Sequence, residues 1–125
     1  MSIAAISYDI KAGHEEQIAE IFGNFRRTGS PVIRDESGAE VGRIVSTALF
    51  IKGATMVRFI EYEGRLSDVA RFMAAQPGVR EVEQRLKPYL SRPRDTGTVE
   101  GFIATFERST MRCLSLLSTA DTPAS

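Results

Sequence analysis

The 125-residue sequence predicts a single α+β domain with the element order β-α-β-β-α-β and additional helices. Some segments alternate apolar and polar residues with a period of two, whereas others repeat apolar residues every three or four positions. Glycine, proline or a capping residue stands at most of the boundaries between them. The order β-α-β-β-α-β forms a four-stranded antiparallel sheet with helices on one face, which is the ferredoxin-like arrangement.

The N-terminal half of the sequence predicts three strands and one helix. Residues 3–10 alternate with apolar residues on both sides, which predicts a strand covered at least partly on both faces. Residues 14–27 have the apolar spacing of a helix, with acidic residues first and arginines last. Residues 43–51 and 55–63 are rich in β-branched and aromatic residues and predict a central hairpin, preceded by an exposed hairpin with its turn at 35–38.

The next part of the chain predicts two helices that follow each other closely. Residues 66–77 contain an apolar stripe, and Ser67 or Asp68 is the expected N-cap. A Pro-Gly pair separates this helix from another over residues 79–90, in which Pro88 is expected to bend or close the last turn.

The C-terminal part predicts a further helix and the last strand. Residues 98–109 have an apolar stripe behind a Thr98 cap, although a glycine inside the segment weakens the prediction. The segment that begins at Met111 predicts the last strand, in which the lone cysteine is expected to be a small buried residue. We therefore expect one domain over residues 1–118 and a disordered tail over 119–125.

Composition and charge exclude several classes of function. Sixteen basic residues balance sixteen acidic ones, so the chain has no net charge to attract nucleic acid or an anionic membrane. Its N-terminus has the pattern of neither a signal peptide nor a membrane span. One cysteine, one histidine and no glycine-rich phosphate loop predict neither a metal nor a cofactor. We expect a cytoplasmic protein.

Three segments of the sequence carry a family resemblance: TALFIKGATMVRFIEYEG, VARFMAAQPGVREVEQRLKPYL and RPRDTGTVEGFIATFERSTMRC. Together they resemble the SchA/CurD-like family found in aromatic polyketide gene clusters, including those for spore pigments. The resemblance covers nearly the whole chain. It implies a dimeric α/β-barrel of ferredoxin-like subunits, related in shape to small polyketide cyclases and cofactor-independent monooxygenases. It transfers no set of catalytic residues by position.

Four side chains are candidates for catalysis. His14 lies between the first strand and helix, and imidazole can act as a general base near neutral pH. Tyr8 and Tyr62 are expected on neighbouring or facing strand positions and can donate to a carbonyl or enolate. Arg58 interrupts an apolar strand, so it needs either an acidic partner or a ligand. The alternatives to a catalytic role are that the histidine is exposed at the surface, that the tyrosines belong to the core, and that the arginine forms an ion pair.

Further residues are candidates for substrate binding. The connector before the last helix is stiffened by proline and charged, so it is either the lip of a pocket, with Arg94 paired to Asp95 or a nearby acid, or a turn whose Arg-Asp pair fixes the geometry of the loop. Aromatic residues at helical spacing are either core or pocket lining. The candidates are Arg92, Arg94 and Asp95 of the connector, Arg112 on the last strand, and Phe72, Phe102 and Phe106 on the helices.

The function that these features favour is an accessory enzyme of cyclase or aromatase type. It would bind an aromatic polyketide intermediate in a cleft between sheet and helices. A cofactor-independent monooxygenase and a non-catalytic partner of other polyketide synthase enzymes are the alternatives. The second face of the sheet, formed by Val57 and Phe59 or by the residues that alternate with them, is apolar and one layer of helices cannot cover it. A homodimer that presses sheet against sheet would cover this face.

Overall fold

The computed structural model describes residues 2–23 and 30–117. The elements are β1 (Ser2–Asp9), α1 (Glu15–Gly23), β2 (Val32–Arg34), β3 (Glu40–Lys52), β4 (Thr55–Glu63), α2 (Leu66–Ala74), α3 (Pro77–Leu86), a 3₁₀ turn (Lys87–Tyr89) and α4 (Val99–Ser109). Within these residues the strands form one antiparallel sheet in the order β1-β4-β3-β2. The predicted α+β, ferredoxin-like fold is confirmed. The end of the first predicted helix lies outside the described residues.

The sheet has two chemically different faces. On the inner face, which the helices cover, the even-numbered residues of β1 and β4 are buried, except Ser2 at the start of β1. They are Ala4, Ile6 and Tyr8 of β1, and Met56, Arg58, Ile60 and Tyr62 of β4. On the outer face, Phe59 pairs with Ala5 on one side and Ala48 on the other. The predicted alternation in residues 3–10 is confirmed, and Val57 and Phe59, rather than the residues that alternate with them, lie on the outer face.

A β-bulge in β3 changes the alternation along that strand. Ile44 pairs with Tyr62, but Ser46 pairs with Glu61, so Val45 is an extra residue opposite β4. Beyond the bulge, Leu49 pairs with Arg58 on the inner face, and Phe50 pairs with Val57 on the outer face. The bulge therefore lets the two parts of β3 each present apolar residues to the inner face.

The helix boundaries follow the predicted pattern with one correction. Thr98 caps α4 as expected, since its Oγ1 accepts a hydrogen bond of 3.0 Å from the Gly101 amide. By contrast, α2 begins at Leu66 behind Arg65, which makes no side-chain capping bond, so the predicted Ser67 or Asp68 cap is wrong. The amides of Asp68 and Val69 instead share the backbone oxygen of Arg65. Pro77 occupies the first turn of α3, where its missing N–H costs little.

The predicted last strand does not form. Thr110 makes an isolated bridge with Ile6, and the Met111 amide donates to the Ala5 oxygen at 2.7 Å. Residues 111–117 then continue without regular structure and are exposed. Cys113 is exposed too, so its predicted burial is wrong. The strand pattern of this segment is real, but few of its backbone groups reach the edge of β1.

The predicted hairpin at residues 30–43 is present as β2 and the start of β3. The Asp35 carboxylate accepts hydrogen bonds from the Ser37 hydroxyl and from the Ser37 and Ala39 amides. These bonds favour the ionised form, so they lower the pKa of Asp35, with the Ser37 hydroxyl contributing most. Across residues 2–23 and 30–117, no helix is long and apolar enough to cross a membrane.

Candidate functional site

The inner face of the sheet contains a buried arginine. Arg58 lies in the middle of β4, between Ile6 of β1 and Leu49 of β3, and is 8 % exposed. In the described part of the chain, its buried Nε has no hydrogen-bond partner and none of the observed ion pairs includes it. Glu61, an acid on the same strand, is not its partner, because it lies on the outer face and accepts a hydrogen bond from the Ser46 hydroxyl. Arg58 is therefore a buried cation without a described counter-ion.

Aromatic rings lie close to this guanidinium. The Arg58 Cζ is 5.6 Å from the ring centroid of Phe22, near the end of α1, which is a cation-π contact. Tyr8 pairs with Met56, so it is a diagonal neighbour of Arg58 on the inner face. The ring contact compensates part of the lost hydration of Arg58 but offers no hydrogen-bond acceptor to Nε. The guanidinium can therefore donate a hydrogen bond to an anionic oxygen of a ligand.

A second arginine with a buried side chain lies over the ring of Tyr8. The Arg94 Cζ is 4.2 Å from the ring centroid of Tyr8, and its guanidinium binds both carboxylate oxygens of Glu83 at 3.3 and 3.4 Å. The side chains of Arg94 and Glu83 are 8 % and 5 % exposed. Arg94 Nη1 also donates to the Ser109 hydroxyl at 3.4 Å. Tyr8 thus contacts a neutralised ion pair and is also a diagonal neighbour of Arg58 on the sheet.

The connector that carries Arg94 is attached to β1 along its length. Leu90 bridges Ile10, and the Ser91 amide donates to the Asp9 oxygen. Arg92 is exposed, with its Nε 3.9 Å from an Asp9 carboxylate oxygen. These backbone contacts fix the start of the connector along the edge of β1.

The Asp95 carboxylate lies at the start of α4, near Gly101, whereas the ion-pair partner of Arg94 is Glu83. A β-carbon built on Gly101 would come within 2.7 Å of the Asp95 carboxylate, so a larger residue at position 101 would displace this acid. The carboxylate therefore stands at the positive end of α4, where negative charge is favourable. This close approach is the physical reason for a glycine inside an amphipathic helix.

The remaining predicted residues are dispersed. His14 is half-buried, with its ring centroid 5.3 Å from that of Tyr89. Tyr62 is on the inner face, but six residues along β4 from the position opposite Tyr8, which separates the two tyrosines by about 20 Å. They lie on neighbouring strands and do not face each other. Arg112 is exposed on the segment after α4.

The three candidate phenylalanines have different environments. Phe102 and Phe106 are buried, with ring centroids 6.2 Å apart, and belong to the core between α4 and the sheet. Phe72 is half-buried on α2 and lines a groove beside Ile33 and Arg34. The structure thus brings Tyr8 and Arg94 together near Arg58, and leaves His14, Tyr62 and Arg112 outside this group.

The sequence prediction missed Glu83 and Phe22 as members of this group. Glu83 follows Val79 by four residues on the apolar stripe of α3, so its position already indicates burial. A carboxylate at such a position needs a buried cation, although the sequence does not show which one. Phe22 was predicted as part of the helix stripe, and nothing in its spacing indicates contact with Arg58. In the described residues, no group of three or more His, Cys, Asp or Glu is arranged to hold a metal.

Comparison with known proteins identifies the family. Residues 1–119 match the model of the SchA/CurD like domain. The chain is 35 % identical over 107 residues to "Polyketide synthase CurD" of Streptomyces cyaneus and 33 % identical over 107 residues to a "42.8 kDa protein in whiE locus" of Streptomyces coelicolor. It is 34 % identical over 91 residues to "Protein SchA" of Streptomyces halstedii.

These alignments cover 86 %, 86 % and 73 % of the chain. They cover 28 % of CurD, 25 % of the whiE-locus protein and 22 % of SchA, so the chain spans about a quarter of the length of these relatives. The domain match extends over nearly every residue of the fold described above. The chain therefore belongs to the SchA/CurD-like family.

Proposed function

We propose that the protein is an accessory enzyme of aromatic polyketide biosynthesis that promotes cyclisation of a polyketide intermediate bound between the sheet and the helices. Its membership in a family that includes a protein named a polyketide synthase supports the pathway. Arg58 is the observation that supports the chemistry, because it is a buried guanidinium whose Nε lacks a described acceptor. A poly-β-ketone forms enolates, which are the anions that such a group stabilises.

Ring closure requires three contributions from the protein. A proton leaves a carbon between two carbonyl groups, and the enolate carbon then attacks a second carbonyl carbon, whose oxygen takes up a proton. Arg58 would stabilise the enolate oxygen, and Tyr8, its neighbour on the inner face, would transfer the proton. Phe22 would orient the flat intermediate by contact with its face. Loss of water from the aldol product then gives the aromatic ring.

An arginine that stabilises an enolate would also stabilise a phenolate that reacts with oxygen. The test must therefore separate cyclisation from oxidation. Metabolites from the producing strain would be compared with and without the gene, and oxygen uptake would be measured with the purified protein and the accumulated intermediate. A changed ring pattern without oxygen uptake supports cyclisation, whereas oxygen consumption with quinone formation supports the monooxygenase. If neither appears and the protein co-purifies with a synthase, it is a non-catalytic partner.

We also propose that two copies pack through the outer faces of their sheets. Phe50 is 62 % exposed and lies next to Val57, while Ala5, Ala48 and Phe59 continue the apolar surface across three strands. A pocket of about 450 Å³ beside it is lined by Phe59, Ile3 and Met111 among others. A second copy is the occupant that this face fits, since a two-fold axis places the same apolar patch on both sides.

Light scattering is expected to give a mass of about twice 13.8 kDa. Phe50→Asp would place a charge in the centre of the buried patch and convert the dimer to a monomer. Ala19→Asp adds the same charge on the exposed side of α1 and should leave the mass unchanged. A parent protein that remains a stable monomer at micromolar concentration would contradict the proposal.

A further inference from the structure

A polar pocket lies beside the edge of β1 that does not pair with β4. Its volume is about 290 Å³, and it is enclosed by β1, the connector and the last turn of α4. The charged residues in its wall are Asp9, Arg92, Arg94 and Arg108. Hydroxyl groups of Ser7, Thr105 and Ser109 complete the polar lining. Because Glu83 neutralises Arg94, the two other arginines against Asp9 leave this pocket positive in a chain whose total charge is zero.

The three arginines differ in how firmly their side chains are held. Arg94 is fixed, because Glu83 binds its guanidinium and neutralises its charge. Arg92 is 83 % exposed, and its 3.9 Å contact with Asp9 is too long and too hydrated to hold it firmly. Arg108 donates one N–H group to the Thr105 hydroxyl and is otherwise exposed. Arg92 and Arg108 therefore retain donors that can turn toward the pocket.

The hydroxyl groups show which donors remain for a ligand. Thr105 donates to the Asp95 oxygen and accepts from Arg108, and Ser7 donates to the Ser109 backbone oxygen, so both hydroxyl protons are used. The Ser109 hydroxyl accepts from Arg94, and its own proton is directed to none of the residues 2–23 and 30–117. Because an acceptor bond from a cation polarises this hydroxyl, it is a good donor to an anion.

We propose that this pocket binds an oxyanion, a carboxylate or a phosphate group, through Arg92, Arg108 and the Ser109 hydroxyl. The planar fork of arginine matches two oxygens of either group. Arg94 and Glu83 form the rigid wall of the pocket and supply no net charge. Asp9 competes with the anion for Arg92, so it weakens the binding of the anion. This site does not depend on the chemistry proposed for Arg58.

The test is an NMR titration of the full chain with inorganic phosphate and, separately, with acetate, at constant ionic strength. Constant ionic strength matters because added salt screens exposed charges. Saturable shifts of the amides of Arg92, Arg108 and Ser109 are expected. Arg92→Gln and Arg108→Gln should each raise Kd by about fivefold or more, as expected for a partly exposed charge contact. Asp9→Asn should lower Kd by about twofold to fivefold, because it removes the competing carboxylate.

Arg85→Gln is the matched control, since Arg85 is also exposed and paired with an acid, Glu81, but lies on α3 away from the pocket. Its Kd should equal that of the parent. Tighter binding of phosphate would assign the site to a phosphorylated ligand, and tighter binding of acetate to a carboxylated one. Shifts that do not saturate with either anion, or a Kd that is the same in the Arg92, Arg108, Asp9 and Arg85 variants, would overturn the proposal.

Discussion

Arg58→Met is expected to lower product formation by about 100-fold to 1,000-fold, the effect of removing a donor to a developing oxyanion. The same change should leave the free energy of unfolding unchanged or raise it by about 1 kcal/mol, because methionine removes a buried charge that lacks a described counter-ion. Methionine also fills a similar volume and keeps the contact with Phe22. Product yield and denaturant unfolding, measured on the same sample, separate the two effects.

Arg71→Met is the control for this comparison, because Arg71 is exposed on α2 and pairs with Asp68 at the surface. It should change product formation and unfolding little. If Arg58→Met keeps product formation within about twofold of the parent, Arg58 does not stabilise an anion in the reaction. If it instead lowers the free energy of unfolding by several kcal/mol, the arginine supports the core.

Glu83→Ala is expected to lower the free energy of unfolding by about 3 to 5 kcal/mol, since it leaves Arg94 buried without its anion. The guanidinium would keep Tyr8 and the Ser109 hydroxyl as neighbours, and neither carries a compensating charge. Denaturant unfolding at fixed protein concentration measures the change, because a dimer would make stability depend on concentration.

The double variant Glu83→Leu, Arg94→Met should recover most of this loss, because apolar residues of similar size can replace a buried ion pair at little cost. Glu81→Ala breaks the exposed pair with Arg85 on the same helix and should cost about 0 to 1 kcal/mol. A loss below about 1 kcal/mol for Glu83→Ala would mean that Arg94 rehydrates, and that the connector moves away from β1 when the ion pair is broken.

Local chemistry predicted the elements whose signals lie within a few residues. The Thr98 cap and the alternation of residues 3–10 are both present, because a cap bond and a strand period involve adjacent parts of the chain. The α2 cap was wrong because Arg65 supplies its backbone oxygen at the helix start, and Ser67 and Asp68 then fall inside the first turn. Residue type alone does not show which of several adjacent residues will cap a helix.

Features that depend on distant pairing were not predictable in the same way. Tyr8 and Tyr62 share a face because both follow the period of two, but their separation depends on the register between β1 and β4. Residues 111–117 have a strand pattern, yet a strand also needs an edge with which to pair. The Arg94–Glu83 pair joins the connector to α3, and only the folded arrangement shows that Asp95 is not the partner.

Because Val45 is the extra residue of the bulge, it is the position in β3 where one residue can be deleted without moving the following side chains to the other face. Elsewhere in β3, removal of one position would shift all following side chains to the opposite face and place Phe50 inside and Leu49 outside. At Val45 the same loss would join Ile44 to Ser46 in an uninterrupted ladder, and both neighbours would keep their partners on β4. Length variation within this strand is therefore structurally neutral at the bulge and disruptive at the positions that flank Arg58.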